Sequence, residues 1–274
     1  MSGVRELLQA ALASGLNTLD AHLLMALCTG HSRTWLIAHD DSSLLVDQQA
    51  EFVGLVARRA SGEPLAYLLG EKEFHGLSLK VNAHVLVPRP DTEVLVEWAL
   101  DVLRSEFSAH AAPRVIDLGC GSGAIALAVK SAWPQADVTA VDASADALAV
   151  AQDNADALGL NVRFLLSDWW KGVSKERFDL ALSNPPYVAM DDPHLAALRF
   201  EPAMALTSGS DGLDALRSIV EGADAHLREN SWLLLEHGHD QSANVQSLLG
   251  QKAFKNSQSR FDLAGHLRCT GGRI

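Results

Sequence analysis

The tetrapeptide Asn184-Pro185-Pro186-Tyr187 has the residue types needed to hold a planar –NH2 group. Each proline fixes its own φ, keeps the residue before it extended and offers no backbone N–H. The segment therefore presents carbonyl acceptors, to which the Asn184 side chain adds another, while Tyr187 supplies a flat face for an amide or a base. A loop turn after a strand is the structural alternative. We predict that Asn184, Pro185 and Tyr187 are catalytic and that all four residues bind the substrate.

Hydrogen bonds that hold an –NH2 group in this way would assist attack by a weak nitrogen nucleophile. The lone pair of a carboxamide or an aromatic amine is delocalised, so acceptors that bind both N–H groups raise the electron density on nitrogen and aim it. Alignment of this kind can lower a displacement barrier by several kcal/mol, up to roughly 7–11 kcal/mol in ideal intramolecular cases. By itself the tetrapeptide predicts an oriented –NH2 group and identifies no general base.

A glycine-rich turn is the second candidate site. The segment 117–123 reads Asp-Leu-Gly-Cys-Gly-Ser-Gly, and its glycines let the backbone turn sharply and approach a ligand that any Cβ would displace. The same spacing also fits a dinucleotide fingerprint, and a tight turn without a ligand is a further alternative. We predict cofactor contacts from Gly119, Cys120, Gly121, Ser122 and Gly123.

Two more polar positions favour S-adenosylmethionine over a nicotinamide cofactor only when they are combined with the glycine turn, since Asp142 alone fits either. Asp142 lies about twenty residues beyond the glycine turn, where a carboxylate can accept the ribose hydroxyls of an adenosyl group. Its structural alternative is helix capping. Asp168 and Trp169 end the next strand, where an acid can bind the adenine amino group and an aromatic ring can cover the base. A core position is the structural alternative for both Trp169 and Trp170. We predict S-adenosylmethionine as cofactor, with S-adenosylhomocysteine as its product.

The elements that must position these residues alternate between strand and helix after Pro113. Apolar runs at 115–118, 138–141, 162–166, 178–182 and 232–236 predict strands, and 124–130 and 145–157 predict helices. This alternation indicates an α/β fold with a doubly wound, mostly parallel sheet of the S-adenosylmethionine-dependent methyltransferase type. Because ligands lie at the carboxyl ends of such strands, the candidate residues should meet at one edge.

The segment before this sheet has a different organisation. Residues 1–72 contain three runs with helical spacing and predict a small helical domain, in which Asp20 would cap the second helix and Gly30 would end it. Residues 73–90 predict a β-hairpin linker, with strands at 77–81 and 85–87 on either side of a break at Asn82. Residues 91–274 would form the methyltransferase domain.

Composition narrows the class of protein. Of 274 residues, 48% are hydrophobic and 20% charged, which is typical of a globular protein. The net charge of −12 counts against a protein that wraps nucleic acid, without excluding a local basic patch. No apolar run approaches the roughly 18 residues of a membrane helix. The N-terminus lacks a secretory signal, and Ser2 stands where myristoylation requires glycine. We expect a cytoplasmic protein without membrane or direct nucleic-acid partners.

Cysteine and histidine spacing predicts no metal site. Cys28, Cys120 and Cys269 are far apart and form no Cys-x-x-Cys pair, so neither a disulfide framework nor a zinc site is indicated. His237 and His239 are two residues apart but have no third ligand nearby in sequence. The thiols fit a reducing compartment.

Short segments over nearly the whole chain form a pattern more restrictive than the cofactor motifs. They are Arg59 with Gly62-Glu63-Pro64-Leu65-Ala66-Tyr67, Phe74-His75-Gly76, Val87-Pro88-Arg89-Pro90-Asp91-Thr92-Glu93, Asp117 to Gly123, Asn184 to Tyr187, Glu201-Pro202, Asp211-Gly212-Leu213, Glu236 with Gly238 and Gln241, and Asp262 with Gly265 and Arg268. In these segments the sequence resembles the peptide chain release factor glutamine N5-methyltransferases. Ser208 and His237 depart from the family pattern, at positions outside the chemical motifs.

The resemblance implies methyl transfer to the side-chain amide nitrogen of the glutamine in the Gly-Gly-Gln motif of class-I release factors, which would modulate translation termination. It also implies that Asn184 contacts the cofactor as well as the glutamine, and that the N-terminal helices dock the protein substrate. Arg89 and Glu93 would either line the cleft or form a structural ion pair. Glu201-Pro202 would close part of the site or form a turn. A monomer is expected.

Three alternatives use the same fold. A glutamine methyltransferase of a ribosomal protein would share the site and differ in the docking surface. A DNA adenine N6-methyltransferase would also use the Asn-Pro-Pro-Tyr chemistry but must flip its base, and the acidic balance and the lack of an evident DNA-reading module count against it. A non-catalytic binding module is disfavoured by the intact tetrapeptide and glycine turn.

Overall fold

The computed structural model describes residues 3–108, 112–252 and 254–274. Met1 and Ser2, on which the expectation about N-terminal signals partly rests, lie outside the described residues. Within the described chain, no helix is both long and apolar enough to cross a lipid bilayer. Internal contacts separate two compact units, Met1–Lys72 and Glu73–Ile274.

The first unit is helical. Its helices are α1 (Val4–Ala13), α2 (Thr18–Thr29), α3 (Arg33–Ala38), α4 (Val46–Ala60) and α5 (Leu65–Leu69). The longest of them, α4, buries Phe52, Leu55 and Val56, which lie on one face because they are three and four residues apart. Leu24 and Leu36 complete the centre of an apolar core that belongs to this unit alone.

The start of α2 differs from the prediction. Asn17, and not Asp20, is the N-cap: its backbone is extended and its side chain accepts the Asp20 N–H at 2.9 Å. Asp20 lies inside the first turn, is buried, and pairs with Arg59 of α4 at 2.7 Å. A tertiary ion pair therefore explains the carboxylate that the sequence pattern assigned to a cap. Gly30 ends the helix in the left-handed conformation, as predicted.

The predicted hairpin exists but pairs different residues. Its strands are β1 (Glu71–Phe74) and β2 (Leu77–Lys80), joined by a tight turn in which His75 and Gly76 have φ of 49° and 77°. The predicted pairing of 77–81 with 85–87 is wrong. The backbone of the second segment bonds elsewhere: the Val87 N–H donates to Glu201 at 3.1 Å.

The second unit contains the sheet predicted from the alternating pattern. After a 3₁₀ turn at Pro90–Thr92 come α6 (Glu93–Glu106), β3 (Arg114–Leu118), α7 (Ala124–Ala132), β4 (Asp137–Asp142), α8 (Ala145–Leu158), β5 (Arg163–Leu166), β6 (Phe178–Ser183), α9 (Asp214–His226), β7 (Leu227–Glu236), α10 (Ser242–Gly250), β8 (Lys255–Phe261) and β9 (Leu267–Arg273). The strand order is β5-β4-β3-β6-β7-β9-β8. Strands β3 to β7 are parallel, and β9 runs antiparallel to both of its neighbours.

Helices cover both faces of this sheet because strand residues alternate between two apolar clusters. Val115 and Leu180 face the cluster that holds α6, α7 and part of α8. Their neighbours Ile116 and Ala181 face the cluster that holds α9 and α10. Burial on both faces explains why these strands read as continuous apolar runs. The predicted α/β doubly wound fold is confirmed.

The antiparallel edge was not anticipated from the sequence. Strand β8 is mostly exposed and polar, and β9 carries Gly271 and Gly272, so neither shows the apolar run of a buried strand. A Cβ at Gly271 would lie 2.5 Å from the Leu234 side chain, which explains a glycine inside a strand. Strand β7 also begins five residues earlier than predicted, at Leu227 and not at Trp232.

Candidate active site

The candidate residues follow strands that lie side by side. In the registers of β3 with β4 and β6, Leu118 lies beside Val141, and Asp117 beside Leu182. Asp142 in turn lies beside Leu166 of β5. The segments that follow these parallel strands therefore meet at one edge of the sheet.

The glycine turn is held in place by its own backbone. The N–H groups of Gly119 and Cys120 both donate to the Val141 carbonyl, at 2.8 and 2.9 Å, and the Gly123 N–H donates to Cys120. Gly119 has φ of +75°, and a Cβ there would lie 3.2 Å from the Trp169 ring. Glycine is needed at this position for both the backbone conformation and the ring that packs against it.

Asp142 anchors the same turn from the next strand. Its Oδ2 accepts the Gly121 N–H at 2.8 Å, and its Oδ1 accepts the Ser144 N–H at 2.9 Å. Ser144 is the residue that caps α8, since its hydroxyl accepts the Ala147 N–H. Asp142 therefore does not cap α8, which was the structural alternative predicted for this residue. Each carboxylate oxygen keeps lone pairs for a ligand.

The residues that follow β5 divide into exposed and buried groups. Asp168 is exposed and pairs with Lys171 at 2.6 Å. Trp169 has φ of +50° and lies half-buried. Trp170 is a core residue: its indole N–H donates to the Ile219 carbonyl at 2.9 Å, and its ring stacks on His226. Adjacent tryptophans thus have different environments, which their spacing in the sequence could not distinguish.

Asp117 is a buried acid below the glycine turn that was not predicted as a site residue. Its Oδ2 accepts the Ala126 N–H at 3.1 Å, while its Oδ1 has no hydrogen-bond partner in the described chain. Burial, with a contribution from the Asp142 charge, raises the pKa of Asp117 to about 7. A carboxyl at the end of a strand and directly before the glycines was the available sequence signal.

Two clefts open at this edge and share Asn184. The glycine-loop cleft has a volume of about 1050 Å³ and is lined by the predicted site residues Gly119, Cys120, Gly121, Ser122, Asp142, Asp168, Trp169, Asn184 and Pro186. The tyrosine cleft, of about 920 Å³, is lined by Asn184, Pro185 and Tyr187. Gly123 lines neither cleft; a Cβ there would lie 3.1–3.2 Å from Leu127 and Ala151, so its environment is one of helix packing.

Part of the glycine-loop cleft comes from residues that the motifs did not identify. Phe74, Val85 and Leu86 line it, as does Met204, which is 57% exposed. These residues have no chemical signature in the sequence. Thr92 also lines this cleft, and its position inside the Pro-Arg-Pro-Asp-Thr-Glu string was the signal that could have identified it.

Asn184 is positioned by contacts from two directions. The Ser183 hydroxyl donates to the Leu118 carbonyl at 2.6 Å and so ties the end of β6 to the end of β3. The Asn184 side-chain NH2 donates to the Thr92 hydroxyl oxygen at 3.1 Å. Its Oδ1 accepts no hydrogen bond from the described residues and is left as a free acceptor on a residue that lines both clefts.

Tyr187 is tied to β7 and to the segment before α10. Its hydroxyl donates to Glu236 Oε1 at 3.3 Å, and its carbonyl accepts from Gln241 at 3.0 Å. Burial, together with the Glu236 charge, raises the pKa of Tyr187 above its ordinary value. Glu236 is itself 1% exposed, and burial raises its pKa to about 7 against the opposing effects of Thr92 and Arg268.

Arg89 and Pro202 line the glycine-loop cleft, and the buried Glu201 beside them pairs with Arg89. Glu201 also accepts the Val87 N–H. Arg89 lines both clefts, so the two interpretations of this residue, cleft lining and structural ion pair, both describe it. Glu93 instead accepts the His75 N–H at 3.1 Å and supports the hairpin.

Known proteins resemble this chain along its whole length. A release factor glutamine methyltransferase of Bordetella pertussis is 49% identical over 95% of this chain and 96% of its own. Relatives of the same name from Burkholderia pseudomallei and Pseudomonas aeruginosa are 48% and 44% identical, and cover 96% and 93% of this chain and 94% and 92% of their own. The chain belongs to the release factor glutamine methyltransferase family. Two family models agree: the PrmC N-terminal domain matches residues 2–70 and the methyltransferase small domain matches residues 95–204.

Solved structures show that this family shares its fold with other methyltransferases. The hMettl16 catalytic domain in complex with MAT2A 3'UTR hairpin 1 has a TM-score of 0.58 at 16% identity, over 80% of this chain and 79% of that chain. The Thermus thermophilus 16S rRNA N2 G1207 methyltransferase, in complex with AdoMet and guanosine, has a TM-score of 0.54 at 20% identity, over 74% of this chain and 49% of that chain. At these identities the likeness shows the fold alone.

Proposed function

We propose that this protein transfers a methyl group from S-adenosylmethionine to the side-chain amide nitrogen of the glutamine in the Gly-Gly-Gln motif of class-I release factors. The observation that carries the proposal is the position of Asn184, which lines both clefts and has a free acceptor, Oδ1. The glycine-loop cleft would hold the cofactor and the tyrosine cleft would hold the glutamine. A methyl group and an amide nitrogen would then meet at Asn184.

The hydrogen bonds of the glycine turn favour this cofactor over a dinucleotide. A dinucleotide places its pyrophosphate on free N–H groups at a helix N-terminus. Here the N–H groups of Gly119, Cys120, Gly121 and Gly123 already donate within the protein. The carboxylates of Asp142 and Asp168 in the same cleft would repel phosphate and attract a cation. S-adenosylmethionine carries a positive sulfur whose methyl group is activated for transfer.

The residues of this chain would act by binding and orienting. Asp142 would accept the ribose hydroxyls with the lone pairs that its two backbone contacts leave free. Trp169 would cover the adenine ring, and Asp168 would bind its amino group. The Asn184 Oδ1 and the Pro185 carbonyl would accept the two N–H groups of the glutamine amide, while the Tyr187 ring packs against its flat face. Holding the amide in this way raises electron density on nitrogen and fixes its line of attack.

The choice of a protein substrate rests on the relatives and on charge. The relatives are named for release factors, and the family model for the N-terminal domain covers residues 2–70. We propose that these helices, residues 1–72, dock the release factor. Ile37, Leu45 and Val46 are 60%, 69% and 71% exposed there and offer apolar surface for a partner. The net charge of −12 disfavours a nucleic acid in their place.

Labelled methyl transfer tests the proposal. The protein would be incubated with S-adenosylmethionine labelled in its methyl group and, in separate reactions, a class-I release factor, the same factor with its Gly-Gly-Gln glutamine replaced by alanine, ribosomal proteins, and DNA. We expect label on the unaltered release factor alone. Label on ribosomal protein or DNA, with none on the release factor, would contradict the proposal.

We further propose that the protein acts in the cytoplasm as a monomer. Cys28, Cys120 and Cys269 are all buried free thiols, which suits a reducing compartment. Light scattering at several concentrations would test the oligomeric state; a mass that doubles over that range would refute a monomer.

A further inference from the structure

Asn154 is a polar residue that is buried within α8. It is 1% exposed, in a helix otherwise rich in alanine. Asparagine is a poor helix former, and a buried amide needs partners for both its N–H groups and its carbonyl oxygen. Nothing in the local pattern of α8 requires such a residue, so its tertiary contacts must explain it.

The Asn154 amide bonds three backbone groups that come from two distant segments. Its Nδ2 donates to the Lys80 carbonyl and to the Ser122 carbonyl, at 3.0 Å each, and its Oδ1 accepts the Lys80 N–H at 2.7 Å. Both N–H groups and the carbonyl oxygen are therefore paired. The two bonds to Lys80 resemble those of a residue on a neighbouring strand, and the third bond ties the end of β2 to the glycine turn.

The two segments that Asn154 joins both lead to the glycine-loop cleft. Ser122 belongs to the glycine turn and lines that cleft. Lys80 ends β2, and the chain then runs to His84 and Val85, which line the same cleft and are called the His84–Val85 wall below. Asn154 itself lines neither cleft. Its hydrogen bonds therefore set the distance between two parts of the cleft from behind.

A second link between α8 and the His84–Val85 wall is weaker. The His84 Nδ1 lies 3.6 Å from the Asp146 Oδ2, and the two side chains are 58% and 73% exposed. An ion pair in solvent contributes little to holding a structure together. The buried bonds of Asn154 are thus the stronger of these two connections.

We propose that Asn154 is a positioning residue that holds the glycine turn and the His84–Val85 wall at the separation S-adenosylmethionine needs. The inference rests on the proposed function, which places the cofactor in this cleft. Asn154 would act through the backbone of Ser122 and Lys80, without touching the cofactor. Because Ser122, His84 and Val85 line only the glycine-loop cleft, losing the Asn154 amide should weaken cofactor binding and not turnover.

Calorimetric titration of S-adenosylhomocysteine into Asn154→Ala tests this role. Alanine favours a helix more than asparagine does, so α8 itself is preserved. We expect the Kd to rise by about 10-fold, as when a metal site loses a contact that supports its ligands. The kcat at saturating S-adenosylmethionine and the KM for the release factor should change little. Asn154→Asp keeps the acceptor for Lys80 but loses both donors, so it should bind the cofactor no better than Asn154→Ala.

Ser231→Ala is a matched control for the loss of a buried polar contact. Ser231 is 1% exposed, its hydroxyl donates to the Phe178 carbonyl at 3.0 Å, and neither residue lines a cleft. Ser231→Ala and Asn154→Ala should both lower the free energy of unfolding in urea. Only Asn154→Ala should raise the Kd. An unchanged Kd in Asn154→Ala would overturn the positioning role, and so would an equal rise in Ser231→Ala.

A measurement on the unaltered protein keeps the test valid if Asn154→Ala does not fold. If the Asn154 bonds favour cofactor binding, bound cofactor must stabilise those bonds to the same extent. Exchange of the Asn154 side-chain NH2 hydrogens with solvent should therefore slow when S-adenosylhomocysteine is added. The NH2 of Gln152, which bonds Asp156 on the exposed side of α8, should be unaffected. Equal exchange of the Asn154 hydrogens with and without the ligand would overturn the proposal.

These measurements also separate the positioning role from the proposed function, because they need no release factor. If the protein binds S-adenosylhomocysteine through Asn154 but puts no label on the release factor, the proposed function fails and the role of Asn154 stands. If it labels the release factor and Asn154→Ala binds the cofactor as tightly as the unaltered protein, the role of Asn154 fails and the proposed function stands.

Discussion

The glycine turn and the Asn-Pro-Pro-Tyr segment both leave few N–H donors free, but they differ in the acceptors that they leave. In the turn, the N–H groups of Gly119 and Cys120 are taken up by Val141, so few donors are left to bind an anion. In the tetrapeptide, the prolines have no N–H, and the side-chain NH2 of Asn184 donates a hydrogen bond to Thr92. Both regions therefore remove donors, but the tetrapeptide also leaves an acceptor, Asn184 Oδ1, without a hydrogen-bond partner among the described residues. The difference suggests that the turn determines cofactor affinity and the tetrapeptide determines rate.

The largest effect is expected when Asn184 is replaced, which tests whether the tetrapeptide determines the rate. Asn184→Ala removes the free acceptor of a residue that lines both clefts, so we expect kcat to fall by about 10²–10³-fold or more, as for the loss of one oriented hydrogen-bonding group at an active site. Cofactor affinity, measured by calorimetry, should change much less. Near-normal turnover, or a loss confined to cofactor binding, would contradict the role assigned to the tetrapeptide.

A second prediction compares the buried acids of the two regions. Burial raises the pKa of Asp117, below the glycine turn, and of Glu236, behind the tetrapeptide, to about 7 each. A raised carboxyl pKa means that the folded state binds the proton more tightly, so its stabilising contribution is complete below the unfolded pKa and is lost as the pH rises through about 7. Each acid should account for roughly 3–4 kcal/mol of this loss, from 1.36 kcal/mol per pKa unit.

Urea unfolding followed by tryptophan fluorescence, across the range between about pH 4.5 and pH 7, would measure that loss. Asp117→Asn and Glu236→Gln should each flatten the pH dependence by a similar amount. Acids held by arginine, such as Glu176 between Arg114 and Arg163, have a lowered pKa and lose their contribution at more acidic pH, so they do not mask the effect. A pH dependence that persists unchanged in both variants would show that these acids are not the cause.

The third prediction concerns the glycine turn. Gly119→Ala adds a Cβ at 3.2 Å from the Trp169 ring on a backbone with φ of +75°. We expect cofactor affinity to weaken by roughly 10-fold, about 1.4 kcal/mol, because the Trp169 ring must move away from the new Cβ, with a smaller change in kcat at saturating cofactor. Gly159→Ala is the control: it has φ of +65° and open space around the new Cβ. If both variants bind the cofactor equally well, contact with Trp169 is not what matters.

The sequence predicted that the candidate residues identified by local motifs would meet at one edge of the sheet. The glycines, Asp142 and Asn184 each follow a strand, and parallel packing brings strand ends together whatever the rest of the chain does. The contacts of Asn184 with Thr92 and of Tyr187 with Glu236 could not be predicted, because the partners are far apart along the chain and each residue alone reads as an ordinary cap or strand end. The Pro-Arg-Pro-Asp-Thr-Glu string was singled out, but its chemistry depends on a contact that only the fold creates.

Other differences have similar tertiary causes. Asp20 reads as a helix cap until Arg59 is brought beside it. The hairpin was assigned to 85–87 because Val85 and Val87 alternate, yet they are buried by packing and the Val87 N–H bonds to Glu201. In each case a side chain or backbone group is satisfied by a residue distant in sequence, and periodicity carries no information about such partners.

The smallest effect is expected when the hydroxyl of Tyr187 is removed. Its hydroxyl points to Glu236 at 3.3 Å, so the substrate would meet the ring face and not the hydroxyl. Tyr187→Phe keeps that face but removes a donor that stabilises charged Glu236, and the pKa of Glu236 should therefore rise further above about 7. We expect kcat to fall only a few-fold, about 1 kcal/mol for one lost hydrogen bond. Tyr187→Ala, which also removes the ring, should lose far more activity. A large loss in Tyr187→Phe at every pH would mean that the hydroxyl itself acts on the substrate.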